Sequence, residues 1–254
     1  MRTIARLVDR MIVIFPFEEE MYRKAGVDVC FAGHPLKDEK HAPRSKSDFF
    51  EEIGFDPKRR TVGLLPGSRR QEVQALLPEM VSAVGLLRER MPGLQAVVGK
   101  AVMLDRGDYE PVLEGKDVFL AEDRTREVMA HSDAVIVASG TATLETALFG
   151  TPMVIVYRVS PLSFRIGKAL VKVSHIGIVN IIAGKEILPE LLQGDVNGAR
   201  IAGEVEPLLM GGERRDRMVE ALGEVSASLG EGGASRRAAE AVVDFMNRAS
   251  VKET

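Results

Sequence analysis

Two short polar segments, each directly after an apolar run, carry the residue types that bind an anion. Gly67–Arg69 (GSR) follows the apolar stretch Thr61–Leu65, and Ser139–Thr141 (SGT) follows Ala134–Ala138. A helix is predicted to begin directly after each segment, so its unpaired N–H groups and its dipole would favour negative charge. Arg69 adds a guanidinium that can hold a phosphate through two parallel hydrogen bonds.

The second segment continues into its predicted helix with Thr143 and Glu145. Thr143 would add a hydroxyl donor near the helix N-terminus. Glu145 lies one turn beyond Thr141 on the same face, where a carboxylate would repel phosphate but could accept two hydrogen bonds from a ribose diol. Each segment alone also fits a plain helix cap or a solvated arginine. Two such segments at the carboxyl ends of strands favour a ligand that carries a diphosphate.

Residues 146–185 contain no Asp or Glu but several basic residues among apolar ones. A cationic, apolar helix of this kind can rest on anionic lipid. From the residues alone, an ordinary surface helix with its apolar side in the core is the favoured interpretation. Asn180 and Gln193 are polar residues within apolar runs, and a buried hydrogen bond or a cap would account for either.

The elements that must position these residues alternate between apolar strands and longer amphipathic stretches. This alternation predicts an α/β fold with a doubly wound parallel sheet, Rossmann-like, and a helical C-terminal tail. The polar stretch 37–47 is predicted to be a linker. Helices are predicted in the last third near 161–173, 186–192, 198–210, 213–229 and 234–248.

Composition excludes several classes of protein. The 254 residues include 34 Lys+Arg and 37 Asp+Glu, a net charge of −3, which argues against a general nucleic-acid binder. Cys30 is the only cysteine, so a disulfide framework is excluded and a reducing compartment is expected. No apolar run reaches the roughly 18–20 residues of a membrane span. The four histidines lack the spacing of metal ligands. A cytoplasmic protein without a metal is therefore predicted.

Several segments, taken in order, resemble the lipid-A-disaccharide synthase family. They are DRMIVIFPFEEEMYRKAGVDVCFAGHPL, LLPGSRRQEV, ASGTATLETALFGTPMVIVYRVSP and IIAGKEILPELLQ, between about residues 7 and 210. That family consists of two-domain glycosyltransferases of the GT-B type, for which no cofactor is expected. The resemblance implies transfer of 2,3-diacylglucosamine from UDP to 2,3-diacylglucosamine 1-phosphate with release of UDP, in lipid A biosynthesis at the inner face of the cytoplasmic membrane.

The resemblance also implies roles for individual residues. Arg69 and the loop Ser139–Thr143 would hold the diphosphate of UDP. Glu145 would bind the ribose. Asn180 and Gln193 would line the nucleotide side of the cleft. The full predicted UDP-binding set is Gly67, Ser68, Arg69, Ser139, Gly140, Thr141, Thr143, Glu145, Asn180 and Gln193. Because both substrates carry acyl chains, a peripheral membrane contact is predicted through Arg158, Arg165, Lys168 and Lys172.

The family's amino-terminal half, with its Gly-rich acceptor loop and proposed general base, has no counterpart here. Residues 1–36 would be a remnant of that domain with the crossover, and 37–254 the UDP-sugar-binding domain with its helical tail. No catalytic residue is nominated, so the chain is expected to bind UDP without transferring sugar alone. Its protein partner would be a second copy or a separate amino-terminal half. Another GT-B UDP-sugar transferase or epimerase, or a non-catalytic nucleotide-binding subunit, remain alternatives.

Overall fold

The computed structural model describes residues 2–38, 44–159 and 175–252. The chain forms two compact units, Met1–Ala42 with Glu224–Thr254, and Pro43–Gly223. The sequence prediction kept 37–254 together as one domain. The contacts within the structure group the residues from Glu224 onward with the amino-terminal residues.

The helices and strands are labelled in chain order across both units. The first are α1 (Arg2–Leu7), β1 (Arg10–Val13), α2 (Pro16–Lys24), β2 (Asp28–Phe31) and α3 (Lys46–Glu52). Next come β3 (Thr61–Leu65), α4 (Arg70–Arg90), β4 (Gln95–Gly99), α5 (Glu110–Leu113), β5 (Phe119–Ala121), α6 (Thr125–His131), β6 (Ala134–Ala138), α7 (Thr141–Leu148) and β7 (Met153–Tyr157). The last are α8 (Ile178–Ala183), β8 (Glu190–Leu192), α9 (Gly198–Met210), α10 (Glu213–Ser228) and α11 (Ala234–Lys252).

In the first unit, β1 and β2 pair in parallel and α2 connects them. Asp38, at the end of a short 3-10 turn, accepts hydrogen bonds from the backbone N–H groups of Gly233, Ala234 and Ser235 at the start of α11. Arg237 donates from Nε to the carbonyl oxygen of Ala32 at 2.9 Å. These contacts bind the last helix to the strand–helix–strand unit, although nearly 200 residues separate the partners in sequence.

The second unit contains a six-stranded parallel sheet of order β5-β4-β3-β6-β7-β8. Every residue of β3, β4 and β6 is buried, which requires cover on both faces. Helices α4 and α9 pack on each other and on β6, while α6 and α7 form a second pair against β3, β4 and β6. The predicted doubly wound parallel sheet is confirmed.

The helix predicted over 186–192 is wrong. Residues Glu190–Leu192 form β8, which pairs with β7 in the register Ile155↔Glu190 to Tyr157↔Leu192. Glu and Leu favour helices in isolation, but a strand edge left open by β7 overrides that weak preference. The short helix α8 was not predicted, and the helix predicted over 161–173 lies outside the described residues.

The order of the strands creates a crevice between β3 and β6. After β3 the chain continues to β4 and β5 on one side, whereas after β6 it continues to β7 and β8 on the other. Ligands of such sheets bind at this switch point, outside the carboxyl ends of the strands. The register Val62↔Ala134 to Leu65↔Val137 ends both strands at the same edge, so the two polar segments that follow them are neighbours.

Candidate functional site: a cleft at the switch point

A cleft of about 580 Å³ opens at the carboxyl edge of the sheet, within the second unit. Its walls are the loops that follow β3, β4 and β6, together with the first turns of α6 and α7. The predicted residues Gly67, Ser68, Arg69, Ser139, Gly140, Thr141 and Glu145 all line it. The structure therefore brings together seven of the ten residues predicted to bind a nucleotide.

The N-terminus of α7 faces this cleft without a side-chain cap. Gly140 is the N-cap residue, and nothing lies within 4 Å of the point where a Cβ would stand. Thr141 is exposed at the first helical position. Because Gly140 has no side chain to accept the first N–H groups of the helix, those donors and the positive end of its dipole can receive an anion from the cleft.

Thr143 is not part of the cleft wall. Its side chain is fully buried, and its hydroxyl donates to the carbonyl oxygen of Gly140 at 2.7 Å. The predicted role as a ligand donor therefore does not match its position. Through this hydrogen bond Thr143 instead stabilises the conformation of the loop before α7.

At the loop after β3, the anion position is filled by a carboxylate of the chain itself. Glu72 Oε2 accepts from the backbone N–H groups of Ser68 at 3.0 Å and Arg69 at 3.2 Å. Its Oε1 accepts from Arg69 Nη1 at 2.9 Å. Gly67 has φ +110°, and a Cβ there would stand 2.3 Å from Glu72 Oε2. Glu72 was missed by the sequence prediction, although its position three residues after Arg69 is that of a capping box.

Glu145 faces Arg126, a second residue that the sequence prediction missed. Burial raises the pKa of the Glu145 carboxyl, and the charge of Arg126 opposes that rise. Arg126 also lies over the ring of Phe149, with its guanidinium carbon 5.5 Å from the ring centroid. The signal available in the sequence was the place of Arg126, which comes soon after a predicted strand whose carboxyl end meets the cleft.

Asn180 is a structural residue rather than a cleft residue. It is fully buried, and its Nδ2 donates to Leu188 O at 2.9 Å and to Glu190 Oε1 at 2.7 Å. Its Oδ1 accepts from the N–H groups of Ile187 at 2.9 Å and Leu188 at 3.0 Å. All four hydrogen-bonding positions of the amide are used within the fold, so the predicted contact with a nucleotide does not match this geometry.

Gln193 also lies away from the cleft wall. It has a positive φ of 52°, directly after β8. With its amide oriented as its surroundings require, Nε2 donates to Val159 O at 3.0 Å and Oε1 accepts from Val159 N at 3.3 Å. The side chain fastens the strand end of β8 to the segment after β7.

Of the four basic residues predicted to contact a membrane, the described residues include Arg158 alone. Its guanidinium donates to the carbonyl oxygens of Ala75, at 3.1 Å, and Val196, and lies 3.5 Å from Glu79. Arg158 is thus directed into the fold, between α4 and the loop before α9. The other three, Arg165, Lys168 and Lys172, lie outside the described residues. No helix of the described ranges has both the length and the apolarity to cross a bilayer.

Comparison with known proteins identifies the family. A sequence model described as lipid-A-disaccharide synthetase matches residues 1–243. This chain belongs to the lipid-A-disaccharide synthetase family. The lipid-A-disaccharide synthase of Geobacter sulfurreducens is 45% identical over 249 residues, which cover 97% of this chain and 65% of that protein. The chain therefore spans just under two thirds of the length of this curated relative.

Solved structures with low sequence identity share the fold of this family member. UDP-GlcNAc 2-epimerase from Neisseria meningitidis, bound to UDP-GlcNAc, is 13% identical with a TM-score of 0.62, covering 96% of this chain and 63% of that one. CalG4, the calicheamicin glycosyltransferase, is 20% identical with a TM-score of 0.57, covering 94% and 53%. The predicted GT-B type of α/β fold is thereby confirmed.

Proposed function

We propose that this chain binds the UDP part of UDP-2,3-diacylglucosamine and supplies the donor site of a lipid-A-disaccharide synthase. The whole reaction transfers the acylated sugar to 2,3-diacylglucosamine 1-phosphate and releases UDP. The observation that carries the proposal is the cleft at the switch point, which the uncapped N-terminus of α7 and Arg69 both line. Family membership supports the same donor.

The proposed binding mode follows from the charges of the cleft. The diphosphate would lie against the first N–H groups of α7, between Ser139 and Thr141, with Arg69 on its other side. Negative charge grows on the departing UDP as its bond to the sugar breaks, and the helix dipole and the guanidinium stabilise that charge. Glu145 would accept hydrogen bonds from the ribose hydroxyls. No residue of this chain is assigned as the base for the acceptor hydroxyl.

Two alternatives have support of their own. The fold shared with a UDP-GlcNAc 2-epimerase favours a soluble UDP-sugar as a second candidate ligand. A nucleotide-binding subunit that acts with a partner is the other alternative, supported by a cleft to which no base for the acceptor hydroxyl is assigned. Affinity that depends on the acyl chains of the donor supports the synthase. Equal affinity for UDP-GlcNAc and the acylated donor supports the soluble sugar.

The proposal also includes a membrane surface and a protein partner. We propose peripheral association with the inner face of the cytoplasmic membrane, since both substrates carry acyl chains. The protein partner is either a second copy of this chain or a separate amino-terminal half. Residues 1–36 would correspond to the end of the family's amino-terminal domain. Co-sedimentation with vesicles of anionic and neutral lipid tests the membrane association.

Isothermal titration with UDP tests the donor site, using Arg69→Ala and Arg70→Ala as a matched pair. Arg69 lines the cleft, whereas the neighbouring Arg70 pairs with Asp108 at 2.6 Å. Loss of one charge-assisted phosphate contact weakens UDP binding about tenfold or more. We expect that loss for Arg69→Ala and little change for Arg70→Ala. Absence of UDP binding by the unmodified chain, or equal affinities for both variants, would contradict the proposal.

A further inference from the structure

Arg126 of α6 and Glu145 of α7 both line the cleft. Glu145 is the fifth residue of α7 and Phe149 is the C-cap of that helix, so the two are four residues apart and share one face. Arg126, the second residue of α6, extends across this face and lies 5.5 Å from the ring centroid of Phe149. The ring holds the guanidinium by a cation–π contact on the helix face that also carries Glu145.

The charges of the cleft make Arg126 the effective counter-charge of Glu145. The other charged residues that line the cleft are Arg69 and Glu72, which belong to the start of α4 and pair with each other at 2.9 Å. Among the charges of the described residues, Arg126 is the one whose field acts on the Glu145 carboxyl to lower its pKa. Burial acts in the opposite direction and is the larger effect.

We propose that Arg126 is a positioning residue of the donor site, which holds the Glu145 carboxylate where it accepts hydrogen bonds from both hydroxyls of a ribose. This inference rests on the proposed function and adds a residue to it. A carboxylate accepts at both oxygens, whereas the neutral acid must donate from one of them. Arg126 thereby controls whether the site distinguishes a ribose from a 2′-deoxyribose.

The inference predicts the direction of a pH effect. Without Arg126 the desolvation of Glu145 is unopposed, so the pKa of its carboxyl rises further. The preference for ribose is lost as pH falls through that pKa. In Arg126→Gln this loss therefore begins at a higher pH than in the unmodified chain.

The experiment measures affinities for UDP and 2′-deoxy-UDP across pH for the unmodified chain and for Arg126→Gln. Arg124→Gln is the matched control, because Arg124 pairs with Glu52 at 3.2 Å on the same helix start and does not line the cleft. We expect the unmodified chain to prefer UDP about tenfold, and Arg126→Gln to lose most of this preference. Arg124→Gln should retain it. Equal preferences and equal pH profiles in all three proteins would overturn the inference.

A second measurement requires no ligand. The Glu145 carboxyl is titrated by carbon-13 NMR in the same proteins, with its signal assigned by Glu145→Gln. A raised pKa in Arg126→Gln alone supports the inference, and an unchanged pKa overturns it. If the unmodified chain binds no UDP, the proposed function and the ribose role fail together. The titration then still decides whether Arg126 controls the charge of Glu145.

Discussion

At the scale of single residues, the carboxylate of Glu72 is the unusual feature of the cleft. It satisfies the N–H groups of Ser68 and Arg69 and also pairs with the Arg69 side chain. A residue that caps a helix stabilises the fold, but a negative charge beside a phosphate site opposes the ligand. Stability and ligand affinity therefore place opposite demands on this side chain.

Glu72→Gln is expected to change stability and affinity in opposite directions. Loss of the charged cap should lower the free energy of unfolding by about 1 kcal/mol. Removal of the negative charge should strengthen UDP binding severalfold at low salt, because electrostatic repulsion of the phosphates falls. Urea unfolding and isothermal titration on the same preparation measure the two effects. Weaker binding in Glu72→Gln would contradict the expected sign.

Asn180→Ala is expected to affect folding rather than binding. Removal of this fully buried amide leaves Leu188 O and the N–H groups of Ile187 and Leu188 without their partner. Unsatisfied buried groups cost about 1–3 kcal/mol each, so we expect a loss of roughly 3 kcal/mol in unfolding free energy. Asn197→Ala, which removes the cap of α9, is the control and should cost about 1 kcal/mol. A large loss of UDP affinity in folded Asn180→Ala would contradict this role.

At the scale of elements, the alternation of strands and helices was predictable because continuous apolar strands and Gly- or Pro-marked ends are local signals. The two polar loops that line the cleft were predictable for the same reason. The pairing of β8 was not, since three residues carry no clear period and the pairing depends on β7. The contact of Arg126 with Phe149 was not predictable either, because its partner comes from another helix, whereas the buried hydrogen bonds of Asn180 match one interpretation of the sequence.

One carboxylate, that of Asp38, contributes to the attachment of α11 and makes this contribution sensitive to pH. Hydrogen bonds from Ser235, Ala234 and Gly233 lower the pKa of Asp38 to about 2, from an ordinary value of 3.8. Because the folded-state value is the lower one, this stabilisation is present above pH 3.8 and is lost as pH falls toward 2. Asp38→Asn should remove the pH dependence and weaken the attachment.

Hydrogen exchange of the α11 amides, followed by mass spectrometry, measures that attachment. In Asp38→Asn we expect faster exchange in α11, while the amides of β3 and β6 in the second unit keep their protection. Asp48→Asn is the control, since Asp48 lies in the first turn of α3, which belongs to the second unit. Unchanged exchange of α11 in Asp38→Asn would show that the other contacts, such as that of Arg237, suffice.

At the scale of the whole molecule, the carboxylates that line the cleft among the described residues are Glu72 and Glu145. Glu72 is hydrogen-bonded to the loop after β3, and Glu145 is proposed to bind the ribose. We expect the purified chain to bind UDP but to form no disaccharide from the acylated donor and acceptor. Mass spectrometry of the lipid products is the measurement. Product formed by the chain free of any partner would contradict this expectation.

The first unit consists of two sequence ranges, one before and one after the second unit, and this affects the order in which the units fold during synthesis. Residues 43–223 leave the ribosome as a continuous block, so the sheet with its cleft can fold as soon as that block is available. The first unit must wait for Ser235, because its Asp38 has no α11 to bind before then. Residues 2–38 are thus translated before the second unit but complete their native contacts after it, and for that interval β1 and β2 lack their contacts with α11.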